Sequence, residues 1–455
     1  MRTGFQRYHI EVRDAPPRFK IPPKFIVKRF NNCSNLQECT QTCLYGVHVV
    51  GKDGKIAEPL SDLCRGCYVC VLKCPDLAIS VEENPESRNM GNEYFTPDRM
   101  RTIYFEAESG KVPVSGTGYN GPFSGKGFDG IWFDFSEIVR PTRDGIHGRE
   151  FISTSVDLGR RPSRLAFGNN GELLSGNPNI VEIPIPMILE SPLVSPTNGR
   201  LQLAVAKAAS ELKTFAIVEF EKVTNDLTPY APSIIPRLGP KNIGNAKGVI
   251  RQSRIVEVDL GDGDGGIEDC LEEIRGVNPS VLVSFRIPCS EKSPRIAYDL
   301  IEEGADIIHL HLNDETVERD PDGIVAGIRR THSFLVEKNV RESVTLISSG
   351  GIAEAAHVPK SIILGADAVG VGLAYEIALG CKVCYGDTHS RECSLKIGAE
   401  DIDWAVQRIA NLFGSWRDQL LEVLGGMGLR EVRRQRGEMG RAMFYNDLEM
   451  KIFGG

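Results

Sequence analysis

Residues 304–312, with the sequence GADIIHLHL, join the end of a predicted helix directly to a buried strand. The same joint recurs at residues 365–373, GADAVGVGL. In both, a glycine suited to ending a helix is followed within two residues by an apolar run typical of a strand. A chain that repeats helix, Gly-Ala-Asp and strand indicates a parallel α/β fold.

Further apolar runs extend this pattern. They are TFAIVEF (214–220), SRIVEVDL (253–260), VLVSFRI (281–287) and VTLISSG (344–350). Near-continuous apolar strands, separated by helical stretches such as SPRIAYDLIEEG, indicate a parallel sheet covered on both faces. A doubly wound sheet is the alternative, but the repeated joint favours a (β/α)8 TIM barrel, which we predict over residues 166–415.

Composition limits the class of protein. The 455 residues suffice for a barrel and a smaller domain. With 41% hydrophobic residues, 25% charged residues and a net charge of -8, the chain is predicted to be ordered and not to bind nucleic acid. No apolar run suggests a membrane span or secretory leader, so we expect a cytoplasmic protein. The basic, proline-rich arm at residues 1–30 is either a docking segment or a solvated tail.

The segment CRGCYVCVLKCPD, residues 64–76, has the spacing of a bacterial ferredoxin motif. In two-cluster ferredoxins, the last cysteine of each such run binds the cluster held by the other run. An upstream run is present at Cys33, Cys39 and Cys43, which occupy its first, third and fourth places. Leu36 stands in the second place, where a cysteine belongs.

The two runs predict a ferredoxin-like domain with two iron–sulfur clusters over residues 31–85. Cluster B has four thiolates and is a [4Fe-4S] cluster; its ligands are Cys43, Cys64, Cys67 and Cys70. Cluster A has three, which are Cys33, Cys39 and Cys74. Because leucine has no lone pair, cluster A is either [3Fe-4S] or a [4Fe-4S] cluster whose fourth iron has a non-protein ligand. Zinc fits this cysteine order less well, and we expect the domain to relay single electrons.

The last two predicted barrel strands end in small residues that suit an anion. Ser349, Gly350 and Gly351 follow one strand, and Gly370 and Gly372 lie at the end of the next. TIM barrels commonly bind phosphate at these loops through backbone N–H groups. The alternative is that the glycines serve close packing at tight turns.

Charged and titratable residues also lie at the predicted strand ends. Arg286 either stabilises negative charge on a reduced flavin or forms a salt bridge on the rim. His309 and His311 share one face of their strand, so they are either proton donors at the barrel mouth or a hydrogen-bonded core pair. Cys381, Cys384 and Cys393 follow the last strand, with a spacing that suits a further cluster, zinc or buried thiols.

Taken together, several segments resemble the FMN-binding glutamate synthase family in its archaeal-type form with a ferredoxin insert. They are the ferredoxin run, SEIVRPTRDGIHGREFIST (136–154), ISSGGI (347–352), GADAVGVGLAYEIALGC (365–381) and GLREVRRQRGEMGRAMF (428–444). The resemblance implies a barrel that binds FMN, with the phosphate at the Ser349 and Gly370 loops. It also implies a [3Fe-4S] cluster at Cys381 and Cys393. Cys384 would replace the family's middle ligand, and Arg286 stands in place of its flavin-facing lysine.

Other family segments are missing. LTPYAPSIIPRLGPKNIGNAKG (227–248) does not reproduce the glycine-rich segment that helps to place 2-oxoglutarate, and HLHLNDETVERD (309–320) replaces a second glycine-rich loop. Nothing resembles a glutaminase domain. Residues 86–165 are predicted to form a glycine-rich linker and cap, and residues 416–455 a C-terminal tail.

Two functions follow from these observations. The first is an oxidoreductase that passes electrons from the ferredoxin-like clusters to FMN and on to an imine of 2-oxoglutarate and ammonia. The second is an electron-transfer subunit of a larger redox complex without glutamate synthase activity. Both imply a ferredoxin or another redox protein as partner, and the first adds a small-molecule substrate.

The interleaved pairing can be tested at Leu36. The Leu36→Cys variant should convert cluster A into a four-thiolate [4Fe-4S] cluster, because it supplies the missing ligand. Electron paramagnetic resonance of the purified protein measures the change. A spectrum identical to that of the wild type would contradict the pairing.

Overall fold

The computed structural model describes residues 8–113, 124–135, 152–162, 166–172, 179–193, 199–261, 266–383, 395–445 and 447. Cys384 and Cys393 lie outside these ranges, as does most of the segment 136–154. The chain divides into two compact units. The smaller unit is residues 17–100, and the larger unit is residues 1–16 with 101–455.

The smaller unit contains the predicted cluster-binding segment. Strand β1 (Phe25–Arg29) pairs antiparallel with β2 (Ile79–Glu83), and helices α1 (Glu38–Thr42) and α2 (Val69–Lys73) lie between them in sequence. Its core combines Val27, Val47, Ile79 and Val81 with the thiols of Cys39 and Cys70. So small a core, with thiols at core positions, is typical of domains whose folding a metal group completes.

The larger unit is built on a closed barrel of eight parallel strands, which confirms the predicted TIM barrel. In chain order they are β6 (Met187–Leu189), β7 (Ala216–Glu219), β8 (Ile234–Leu238), β9 (Ile255–Asp259), β10 (Leu282–Pro288), β11 (Ile307–His311), β12 (Thr345–Ser349) and β13 (Ala368–Val371). Each pairs with the next, and β13 pairs with β6. Two short antiparallel pairs lie outside the barrel: β3 (Ile131–Phe133) with β14 (Ala442–Phe444), and β4 (Val156–Gly159) with β5 (Ile180–Ile183).

Helices follow the barrel strands. The main ones are Arg200–Glu211, Lys247–Gln252, Ile267–Val277, Ser293–Glu303, Asp322–Glu337, His357–Ile363, Leu373–Ala378 and Ile402–Gly426. Three shorter or earlier helices are Pro85–Arg88, Pro97–Ser109 and Asp314–Arg319. Within the described ranges, none of the helices is both long and apolar enough to cross a membrane.

Two barrel strands, β6 and β8, carry too little strand signal to be found in the sequence. Strand β6 has three residues and follows Pro184 and Pro186, while β8 contains Pro236. Proline lacks the N–H that a sheet needs, so its presence in a short run argues against a strand. The neighbouring strands of the closed barrel supply the hydrogen-bonding partners of β6 and β8, which the local sequence does not indicate.

The two Gly-Ala-Asp joints have the same structure. Gly304 and Gly365 have φ angles of +108° and +124°, in the left-handed region that favours glycine. One carboxylate oxygen of Asp306 accepts the Val283 N–H at 2.9 Å, and the equivalent oxygen of Asp367 accepts the Leu346 N–H at 2.8 Å. Each aspartate therefore ties the start of its strand to the strand before it.

The joint at Asp367 should be the more important for stability. Asp367 pairs with Arg341 and Arg436, of which Arg341 is 2% exposed, whereas Asp306 pairs with Arg275, which is 38% exposed. Asp367→Ala leaves a buried guanidinium unpaired and should lower the free energy of unfolding by about 3–5 kcal/mol. Asp306→Ala is the matched control and should cost less.

Urea unfolding followed by tryptophan fluorescence measures this difference. All three tryptophans, Trp132, Trp404 and Trp416, belong to the larger unit, so their emission reports on the barrel. Equal losses in the two variants would contradict the ranking.

Candidate functional site

Polar side chains from successive barrel strands meet at one end of the barrel, here called the mouth. The carboxyl ends of parallel strands all lie at the same end of a barrel, so residues far apart in sequence come together there. The residues concerned are Glu190, Glu219, Arg237, Glu257, Asp259, Arg286, His309, His311 and Ser349.

Arg237, on β8, lies at the centre of the mouth. Its Nε contacts Glu257 Oε1 at 2.7 Å, its Nη1 contacts Glu219 Oε1 at 3.1 Å, and its Nη2 donates to Glu190. Arg237, Glu190 and Glu257 are all at least nine-tenths buried. One guanidinium thus binds carboxylates from three other strand ends.

The carboxylates of Glu257 and Glu190 are ionised. Burial by itself would raise the pKa of Glu257, but His309 and Arg237 outweigh it and hold the pKa at about 2. Burial acts in the same way on Glu190, and there Arg237 is the main group that lowers the pKa. In return, the carboxylates raise the pKa of Arg237 above its usual value, although burial opposes this. The network carries permanent charges at neutral pH.

The two histidines meet at a shared hydroxyl. His309 Nδ1 lies 2.6 Å from Glu257 Oε2, and its Nε2 lies 2.8 Å from Ser349 Oγ. His311 Nδ1 lies 2.8 Å from the same Ser349 Oγ. The four side chains form one continuous hydrogen-bonded chain from Glu257 through His309 and Ser349 to His311. Both histidines are thus hydrogen-bonded to other side chains at the mouth. Hydrogen bonding of these histidines was one of the two alternatives that the sequence left open.

His311 is the neutral end of this chain of hydrogen bonds. Burial, together with the nearby positive charge of Arg286, lowers the pKa of His311 to about 3. Any proton that His311 donates at neutral pH therefore comes from the N–H of a neutral ring.

Arg286 lies at the end of β10, as predicted. Its Nη1 donates to Asp259 Oδ2, so it does form a salt bridge on the rim. Its Nε is buried and has no hydrogen-bond partner among the described residues. Glu190 Oε2 is likewise a buried acceptor without a hydrogen bond in the described part of the chain. These two buried atoms thus lack hydrogen bonds among the described residues, although Glu190 Oε2 lies 3.5 Å from His309 Nε2.

Packing inside the chain explains two of the predicted phosphate-binding glycines. Gly350 has a φ of +99°, and a Cβ there would lie 2.0 Å from the Leu312 carbonyl oxygen. A Cβ on Gly370 would lie 2.8 Å from the Cβ of Ser349, whose hydroxyl already contacts both histidines. Gly372 has only ordinary contacts, since a Cβ would lie 3.5 Å from that of Glu190. Gly351, with a φ of +73°, adjoins Gly350. Phosphate binding here stays a prediction.

A mostly buried trio of side chains next to these glycines has a structural role. Asp129, Glu354 and His357 have ligand atoms within 4.8 Å of one another. His357 Nε2 lies 3.1 Å from Asp129, and its Nδ1 lies 3.0 Å from the Gly351 carbonyl oxygen. Both ring nitrogens are engaged, so His357 fixes the turn at Gly351.

In the smaller unit, the seven cysteines fall into the two predicted sets. Burial raises the pKa of the Cys39 thiol, and the neighbouring Cys33 and Cys74 add to this. Burial likewise raises the pKa of Cys70 to about 11, with further contributions from the other cysteines of its set: Cys64, Cys43 and Cys67. The structure thus brings together the thiols that the interleaved spacing assigns to clusters A and B.

The described thiols do not form the compact group of a single zinc site. Among the described cysteines, no three sulfur atoms lie within 4.8 Å of one another. A tetrahedral zinc site with Zn–S bonds of about 2.3 Å would place its sulfurs about 3.8 Å apart. Of the third predicted set, Cys381 is buried after the helix Leu373–Ala378, and its partners Cys384 and Cys393 lie outside the described residues.

Sequence reasoning missed Glu190, Glu219, Arg237, Glu257 and Asp259. Glu190 directly follows β6 and Arg237 lies in β8, the two strands that prolines conceal. Glu257 and Asp259 had a usable signal, because they alternate at the end of the otherwise apolar strand IVEVD and so face the same side. A polar residue at the carboxyl end of a barrel strand is a candidate site residue for that reason alone.

Comparison with known proteins relates the chain to glutamate synthases. Residues 262–430 match the family model described as the conserved region in glutamate synthase. The archaeal-type glutamate synthase (NADPH) of Dehalococcoides mccartyi is 26% identical over 95% of this chain and 98% of its own length. The archaeal glutamate synthase (NADPH) of Methanocaldococcus jannaschii is also 26% identical, over the same shares. The flavin-binding domain of baker's yeast flavocytochrome b2 has a TM-score of 0.47 at 11% identity, covering 80% of this chain and 83% of that one.

The closed barrel with a polar mouth defines a TIM-barrel enzyme. The sequence matches are more specific and confirm the predicted resemblance: the chain resembles a divergent member of the glutamate synthase family, and it is an oxidoreductase.

The neutrality of His311 can be tested by pH-dependent stability. The unfolded ring takes up a proton near pH 6.5, whereas the folded ring, with its pKa near 3, does not. The unfolded state then binds more protons, so stability falls as the pH drops from 6.5 to 5, by up to about 1.4 kcal/mol per pH unit from this residue. His311→Gln removes that contribution and should flatten the dependence.

Urea unfolding at intervals between pH 6.5 and 5 gives the two slopes. His9→Gln, which alters an exposed histidine of the larger unit, is the matched control and should keep the wild-type slope. Parallel slopes for His311→Gln and the wild type would show that His311 titrates normally in the folded protein.

Proposed function

We propose that this protein is an FMN- and iron–sulfur-dependent oxidoreductase of the glutamate synthase type. Two observations are the main support for this proposal. They are the resemblance to the glutamate synthase family and the Nε–H of Arg286 in the barrel mouth, which lacks a hydrogen-bond partner among the described residues. The two thiol sets of the smaller unit support the iron–sulfur part.

The residues of the mouth fit a flavin. Bound FMN converts single electrons into the electron pair of a hydride. Arg286 would meet the negative charge of the reduced ring with its free Nε–H, while Asp259 holds the guanidinium in place. Gly351 and Gly372 would offer backbone N–H groups to the phosphate.

The smaller unit fits iron–sulfur clusters. Arg29 Nε and both ring nitrogens of His48 are buried without hydrogen-bond partners among the described residues, so this unit contains polar nitrogens for which the protein supplies no acceptor. Clusters A and B would carry single electrons from a ferredoxin or a similar redox protein. The relatives are named for NADPH, which would be the more distant electron source in such a scheme.

The chain from Glu257 to His311 would handle the proton. A neutral His309 donates from Nδ1 to Glu257, so its Nε2 accepts from Ser349, and Ser349 Oγ accepts from His311 Nδ1–H. His311 Nε2 is then an acceptor. A proton added to His309 reverses the direction of the hydrogen bonds through Ser349. His309 then donates to Ser349, and Ser349 donates to His311. This leaves a donor at His311 Nε2. The shared hydroxyl would thus convert protonation of a buried ring into a proton available at the mouth.

The charges of the mouth favour a second candidate function. Four carboxylates, Glu190, Glu219, Glu257 and Asp259, face two guanidinium groups, and each guanidinium is already paired. In the described part of the mouth, no unpaired cation is left for the two carboxylates of 2-oxoglutarate. An electron-transfer subunit of a larger redox complex has no need of such a cation, so this observation supports that alternative.

Turnover of the holoprotein separates the two functions. Protein with full FMN and iron occupancy is given reduced ferredoxin or a reduced viologen, ammonia and 2-oxoglutarate, and glutamate is measured. We expect glutamate to form, and Arg286→Gln should reduce its rate by at least tenfold. Arg295→Gln, which removes an exposed guanidinium from a barrel helix, is the matched control and should leave the rate unchanged.

Failure to form glutamate, with both cofactors present and reduced, would contradict the glutamate synthase assignment and leave the electron-transfer role. A stand-alone enzyme that turns over and copurifies with no redox protein would contradict that second role.

A further inference from the structure

Arg29 has a fixed position at the end of β1 in the smaller unit. Its Nη1 donates to the Ile56 carbonyl oxygen and its Nη2 to that of Ala57, both at 2.8 Å. Across the β1–β2 pair, Arg29 lies opposite Ile79. The two hydrogen bonds use one edge of the guanidinium and leave its Nε–H on the other.

Both stretches of chain that supply cluster A adjoin this guanidinium. Next to Arg29, the Phe30 N–H donates to the Ala78 carbonyl oxygen at 2.9 Å, and the Ala78 N–H donates to Cys74 Sγ at 3.3 Å. On the other side, the Ile56 N–H donates to the side chain of Asn35, between Cys33 and Cys39, at 2.9 Å. Arg29 is also close enough to Cys39 to lower the pKa of its thiol, against the larger effect of burial.

The Nε–H of Arg29 has no acceptor among the described residues. Its Nε is buried and lacks a hydrogen-bond partner among the described residues. The nearby His48, 3% exposed, lacks partners at both ring nitrogens. Buried donors without acceptors are costly and therefore rare in folded proteins. Their presence beside three thiols indicates an acceptor that is not part of the chain.

We propose that Arg29 donates its Nε–H to a sulfur of cluster A and, with its positive charge, raises the reduction potential of that cluster. This inference rests on the proposed iron–sulfur function. Reduction adds one electron to a cluster that already carries negative charge, so a fixed cation and a hydrogen bond to sulfur stabilise the reduced form more than the oxidised form.

The same geometry sets which of the two clusters has the higher reduction potential. Cluster A has three thiolates and the partly buried guanidinium of Arg29, whose Nε is buried, whereas cluster B has four thiolates and, as its neighbouring cation, the solvent-exposed Arg65. Less thiolate charge and a less screened cation both favour the reduced state of cluster A. Electrons that enter at cluster B should therefore pass to cluster A.

Redox titration of the full-length holoprotein, followed by electron paramagnetic resonance, tests the role of Arg29. Arg29→Gln should shift the midpoint potential of cluster A to a lower value and leave that of cluster B unchanged. Lys28→Gln is the matched control: it removes one positive charge from the adjacent residue, whose side chain is half-exposed and paired with Glu82. Its two midpoints should equal those of the wild type.

Arg29→Lys is the second variant to measure if the Arg29→Gln protein does not retain cluster A. Lysine keeps the charge and loses the Nε–H, so the midpoint of cluster A should fall, though less than with glutamine. An Arg29 variant that retains cluster A at the wild-type potential would overturn the inference while leaving the clusters in place. Absence of a three-thiolate cluster from the wild-type protein would instead refute the proposed cluster set.

Discussion

The buried guanidinium of Arg237 holds the mouth of this barrel together. It binds Glu190, Glu219 and Glu257, which come from the ends of three other strands. Three carboxylates in so little space would repel one another and would bind protons if the cation were absent. Because His309 and Arg237 together keep Glu257 ionised, Glu257 can orient His309, and His309 in turn positions Ser349 and His311. The geometry of the candidate site therefore depends on one ion cluster.

The two units differ in how they satisfy their buried polar groups. In the barrel mouth, the chain pairs most of its own charges, and the buried side-chain atoms without hydrogen bonds among the described mouth residues are Arg286 Nε and Glu190 Oε2. In the smaller unit, Arg29 and His48 present buried nitrogens that lack hydrogen-bond partners among the described residues, and the thiols there are not bonded to one another. Both units retain features that suit cofactors, while carboxylates outnumber guanidinium groups in the described part of the mouth.

Sequence reasoning succeeded where a signal was local. Long apolar runs located six barrel strands, and the Gly-Ala-Asp joints proved to be repeated hydrogen-bonded corners. It failed at β6 and β8, because prolines and short length hide strands that the closed barrel nonetheless requires. Arg286, His309, His311 and Ser349 were identified as strand-end residues, but the carboxylates that orient them were not. These carboxylates matter because of the side chains that they contact, and no local sequence pattern reveals those contacts.

The sequence by itself determined the barrel class, and it predicted the partition of the seven N-terminal cysteines. Both depend on spacing over a few residues, which covalent geometry converts directly into relative position. Only the tertiary structure decided which polar groups meet at the mouth: Glu190 and Arg237 are 47 residues apart, Glu257 and His309 are 52 apart, and His309 and Ser349 are 40 apart. Barrel closure brings such residues together, and the register of eight strands, a property of the whole domain, sets which of them touch.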